Sequence, residues 1–130
     1  MAAAPNEGPI RFRPVHVYVD PAGVPLAAYQ IEIVVDGNAQ IVGVEGGEHP
    51  AFIAPPKYDP AALAGGRIII AAFDTGRDLP TQRTRVATVH MREVGSVEPT
   101  YRATLEIAGG SDGRPIDATV ELVPDEGDAP

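Results

Sequence analysis

Fourteen glycines and fourteen prolines are distributed through the 130 residues, and they cut the chain into short runs in which apolar side chains recur at every second position. Period two is the signature of a strand with one buried face. Pro14 to Asp20 alternates Val15, Val17 and Val19 against His16, Tyr18 and Asp20. Leu26 to Asp36 sets Ala27, Tyr29, Ile31, Ile33 and Val35 against Ala28, Gln30, Glu32 and Val34, and Asp36-Gly37-Asn38 then reads as a turn into a shorter strand at Gln40 to Glu45. Arg67 to Phe73 is apolar on both faces, as a central strand covered on both sides would be. Arg83 to Glu93 sets Ala87, Val89 and Met91 against Val86, Thr88, His90 and Arg92. The runs Tyr101 to Ile107 and Ile116 to Leu122 alternate in the same way and read as a hairpin with Asp112-Gly113 in its connection. Between residues 46 and 66 only Asp59-Pro60-Ala61-Ala62-Leu63-Ala64 suggests helix, a single turn capped by Asp59. Seven such runs predict an all-β, antiparallel sandwich of jelly-roll or immunoglobulin-like type, in one domain.

Composition narrows the function. A hydrophobic fraction of 44% rests on Ala, Val and Ile, with seven aromatic rings and no Trp, so the core consists of thin β-branched layers. With zero Cys, neither a disulfide nor a thiolate metal site is available. A net charge of -8 argues against nucleic acid or an anionic membrane as partner, because both require a cationic patch. No apolar run is long enough to insert in a membrane. Met1 to Gly8 lacks the features of a signal peptide, and its Met-Ala-Ala-Ala-Pro start reads as a trimmed or mature end, which leaves an exported origin open. Residues 1–10 read as a flexible N-terminus, 11–123 as the sandwich, and 124–130 as an acidic, Pro-containing tail.

The order of features resembles the cohesin-type domains of bacterial extracytoplasmic proteins. Three segments carry the likeness: Val15-His16-Val17-Tyr18-Val19 with Gly23 to Ile33; Tyr58-Asp59-Pro60-Ala61-Ala62-Leu63 with Gly65 to Ala71; and Leu79-Pro80 with Arg85 to Met91. In the family the Tyr-Asp-Pro element directly follows the second strand, whereas here it stands well after it. The resemblance implies a jelly-roll sandwich that binds another protein without catalysis, at the cell surface or outside the cell. It does not by itself imply a dockerin partner.

Candidate site residues follow from chemistry and position. Arg83, Arg85 and Arg92, with Arg77 just before them, suit bidentate contacts to an acidic partner or a carboxylated sugar, although strict alternation places Arg92 on the opposite face from Arg83 and Arg85. A charged edge strand accounts for the same residues. His16 and His90, on the less apolar faces of their strands with Tyr18 or Asp20 near, would approach each other if those strands were neighbours. Glu45-Gly46-Gly47-Glu48-His49 carries two carboxylates and an imidazole, a set that suits a divalent cation or simply a solvated loop. Asp74 and Asp78 in one loop and Asp112 in another offer oxygen ligands for calcium, while Asp and Gly are also what turns require. Ser96 and Ser111 lie outside any Gly-x-Ser-x-Gly elbow, and Gly65-Gly66-Arg67 precedes a strand rather than a helix, so hydrolase and phosphate-binding readings lack their frame. The sequence therefore predicts a non-enzymatic interaction or adhesion module with a protein partner, its binding residues being Arg83, Arg85, Arg92, His90 and Tyr18. The alternative is a carbohydrate-binding module, which requires two exposed, coplanar aromatic rings on one face.

Overall fold

The computed structural model describes residues 8–125; of the expected flexible N-terminus (1–10) and tail (124–130), residues 1–7 and 126–130 lie outside the described residues, while Ile10 and Pro124 stand in strands. Its strands are β1 (Ile10–Asp20), β2 (Leu26–Asp36), β3 (Ala39–Gly46), β4 (Arg67–Phe73), β5 (Thr84–Val94), β6 (Thr100–Gly110) and β7 (Thr119–Pro124). They form a four-stranded sheet, β3-β5-β1-β7, and a three-stranded sheet, β4-β2-β6, with every pairing antiparallel. Among the described residues there is no α-helix, only 3-10 turns at Pro50–Phe52 and Pro60–Ala64. Asp59 caps the second of these, as its position before Pro60 predicts.

Alternation decides which side chains meet between the layers. Val15, Val17 and Val19 of β1, Val89 and Met91 of β5 and Ile41 of β3 are buried with Tyr29, Ile31 and Ile33 of β2 and Ile68 and Ile70 of β4. β1 starts four residues earlier than the apolar pattern suggests, because Ile10 to Arg13 pair with Met91 to Val94. Pro124, expected in the tail, ends β7 opposite Val15.

Two expectations fail. The first is the hairpin of the last two runs. Its turn forms, with Gly113 at φ +79° and Asp112 accepting the Arg114 N–H at 3.0 Å, and the Ile116 N–H reaches the Ala108 carbonyl at 3.0 Å. The ladder stops there: β6 pairs with β2 and β7 with β1, in different sheets. Pro115 has no N–H to extend a ladder, and crossing between sheets packs Ile116, Ala118, Val120 and Leu122 against the core from its open side. The second is the position of β4, which is an edge strand, with β2 at the centre of its sheet. Its outward Phe73 is 71% exposed, and part of its free edge is occupied by Lys57, which donates to the Ala71 carbonyl at 2.8 Å and accepts the Ala71 N–H at 3.0 Å.

The segment from 46 to 57 is held down by close approach. A Cβ on Gly46 would stand 2.1 Å from the Ile53 carbonyl oxygen, and one on Gly47 would stand 2.2 Å from that of Arg85. Only glycine fits at either place. The chain then turns at His49, whose Nδ1 accepts the Ala51 N–H at 3.0 Å, and delivers the Phe52 ring to the core, edge-on to Tyr29 at 5.4 Å.

Candidate functional site

The outer face of the four-stranded sheet carries the five predicted binding residues. β1 and β5 slip register between Val17 and Tyr18, so that Val17 faces Ala87 while Tyr18 faces Arg85 and Val86 is the extra, buried residue. The bulge reverses the parity of β5. Arg85 consequently lies on the same outward face as Thr88, His90 and Arg92, which corrects the expectation from strict alternation. The Arg85 guanidinium donates to Thr88 Oγ1 at 2.9 Å and to the Gly46 carbonyl at 3.2 Å. Arg83 lies over the Tyr18 ring, 3.9 Å from its centroid, and also pairs with Glu121 at 2.6 Å.

The two histidines of this face stand on neighbouring strands, His16 opposite Thr88 and His90 opposite Pro14. Each turns to a different partner. His16 Nδ1 lies 3.0 Å from Thr88 Oγ1 and its Nε2 3.7 Å from Asp125, whereas His90 Nε2 lies 3.3 Å from Glu45 without hydrogen-bond alignment. The run Glu45 to His49 is likewise dispersed: Glu48 approaches Arg85 at 4.0 Å, and His49 Nε2 lies 3.6 Å from Asp78. Asp74 and Asp112, the other candidate oxygen ligands, each accept a backbone N–H of their own turn, from Gly76 at 3.2 Å and from Arg114. Among the described residues no three His, Asp or Glu side chains converge as a metal site would require.

The opposite face, on the three-stranded sheet, holds a feature that the residue search missed. An open groove of about 370 Å³ has Ala28 and Ala71 as its floor, Pro55 and Lys57 as one wall, and Phe73 and Ile107 on its rim. Ile107 is 53% exposed. The floor lies low because β2 and β4 place alanines beside the larger Gln30, Phe73 and Ile107, and the wall exists because Lys57 pairs with Ala71. The signal for it in the sequence was the doubly apolar run at 67–73, read instead as burial on both sides.

A second missed feature is a buried ion cluster at one end of the sandwich. Glu93, 4% exposed, accepts Arg11 Nε at 2.9 Å and the Tyr101 hydroxyl, and lies 3.6 Å from Arg13. Burial pushes the Tyr101 phenol above its ordinary value, and its bond to Glu93 pushes it further in the same direction. Arg11 and Arg13 also reach Glu98 and hold its carboxyl below the usual range.

Neither the family models nor the curated proteins that were compared match this chain. Among solved structures, a chain in the crystal structure of the CaDoc0917–CaCohA2 complex at pH 5.5 is similar, with a TM-score of 0.61 and 14% identity over 86% of this chain and 84% of that one. At that identity the likeness is one of architecture. The chain thus has a cohesin-like β-sandwich fold.

Proposed function

We propose that this chain is a non-catalytic, cohesin-like protein-binding module that presents the outer face of its three-stranded sheet to a partner in an extracytoplasmic assembly. One observation carries the choice of face: an apolar groove on the sheet surface with Phe73 and Ile107 standing exposed at its rim. Leaving those side chains in water costs free energy that a partner recovers by covering them. The similar solved chain comes from a complex of two proteins, which supports a protein as the ligand class. The extracytoplasmic setting is supported by the resemblance of the sequence to domains of such proteins.

A sugar-binding reading has less support. Tyr29 is buried, Tyr101 is bonded to Glu93, Tyr18 lies beneath Arg83, and the exposed rings Phe12 and Phe73 stand on opposite sheets. Affinity capture from an extract of the source organism tests the proposal. The wild type and Phe12→Asp, changed on the other face, are expected to retain the same protein, and Phe73→Asp with Ile107→Asp to lose it. Retention that survives the double substitution but fails with Phe12→Asp places the interface on the four-stranded sheet and rejects this reading.

A further inference from the structure

We propose that Lys57 is the specificity-determining residue of the groove, selecting a partner segment that seats an apolar side chain over Ala28 and Ala71 and sets a carboxylate against the Lys57 ammonium; this rests on the docking reading above. Lys57 is the single lysine of the chain and the one charged residue among those that line the groove. Its backbone is clamped on both sides of Ala71, Pro56 before it is buried, and Tyr58 after it packs against the core. The side chain itself is exposed. With the main chain fixed, the ordering cost of binding at this position is confined to the side chain.

Two other charged groups of that face are already engaged. Arg67 is paired with Glu32, and Glu106 accepts Gln30 Nε2 at 3.1 Å. No ion pair joins Lys57 to any carboxylate among the described residues. A cation of this kind, beside an apolar floor that a partner dries, gains most from a carboxylate brought in by that partner. The net charge of -8 on the whole chain sets the opposite condition at a distance, repelling strongly acidic proteins. The partner segment that satisfies both has an apolar anchor with one or two carboxylates beside it rather than an acidic tract.

Selection from a display library of random short peptides tests this, with wild type, Lys57→Glu, Lys57→Arg and Phe73→Asp each shown to be folded by circular dichroism. The wild type is expected to enrich Leu, Ile or Phe with Asp or Glu a few positions away. Lys57→Glu is expected to bind those peptides about tenfold more weakly or worse, the loss of one charge-assisted contact, and to enrich Lys or Arg in place of the acid. Lys57→Arg is expected to keep them. If Lys57→Glu binds the same peptides as well as wild type while Phe73→Asp loses them, the role of Lys57 is overturned and the docking reading stands. If the wild type retains no peptide, or Phe73→Asp retains all of them, the docking reading falls and the role of Lys57 with it.

Discussion

Burying a carboxylate as deeply as that of Glu93 costs stability unless its oxygens have partners, here Arg11, Arg13 and Tyr101. Removing it leaves the Tyr101 hydroxyl without its acceptor and takes one carboxylate from the 11%-exposed Arg13 side chain, which keeps Glu98 and the Asp125 carbonyl as neighbours. Glu93→Ala is therefore expected to cost about 3 kcal/mol in chemical denaturation, and Tyr101→Phe, which removes one donor, about 1 kcal/mol. An unchanged midpoint for Glu93→Ala would show the cluster to be ornamental. Tyr29 adds a second consequence, since burial raises its phenol above the ordinary 10.0 as it does for Tyr101. Both phenols favour the protonated form in the folded state, so their contribution is complete below about pH 10 and is lost as pH rises through the folded values. Stability is expected to fall above about pH 10, with phenolate absorbance of these two residues appearing only on unfolding, and Tyr29→Phe with Tyr101→Phe is expected to flatten that fall. The ion cluster was half legible in the sequence. The parity of Ala87, Val89 and Met91 carries Glu93 to the inner face, but Arg11 and Arg13 lay outside the run recognised as a strand.

Individual elements show where period two suffices and where it does not. Inner faces of β1, β2 and β5 were legible because Val15, Val17, Val19, Ile31, Ile33, Val89 and Met91 follow the pleat without interruption. The pairing of β6 and β7 was not, since a two-rung ladder at Gly113 is locally the same whether the next strand stays in the sheet or leaves it. Likewise, an extra residue such as Val86 changes the face of Arg85 without leaving a mark in the composition of its strand. The segment after β3 depends on Gly46 and Gly47, whose missing side chains admit the backbones of Ile53 and Arg85. Gly47→Ala is expected to cost about 2–3 kcal/mol in thermal denaturation by forcing those backbones apart. The same variant is expected to speed hydrogen exchange at the Lys57 and Ala71 amides, because the segment that carries Lys57 to its pairing with Ala71 is anchored there. Unaltered exchange would mean that the segment holds without the glycine pair.

At the scale of the molecule, two sheets share one core and turn unlike faces to solvent. The four-stranded face is a mosaic in which Arg83, Arg85, His16 and His90 each have an internal neighbour, whereas the three-stranded face has an apolar groove lined by Lys57, which forms no ion pair among the described residues. The fold class was readable from alternation, and the location of the groove was not, because it depends on which strand lies at the edge. Since Phe12 and Phe73 are 67% and 71% exposed, Phe12→Asp and Phe73→Asp are each expected to change folding stability by no more than about 0.5 kcal/mol. A larger loss in equilibrium unfolding would indicate that the ring supports the core. The Lys57 rung has one more effect. Sheets with bare margins recruit strands from other molecules, and here a short stretch of the chain's own backbone closes the margin of β4 at Ala71. A cut between Ile53 and Lys57 is thus expected to loosen a wall of the groove and, by freeing the Lys57 rung, to bare the margin of β4 at Ala71.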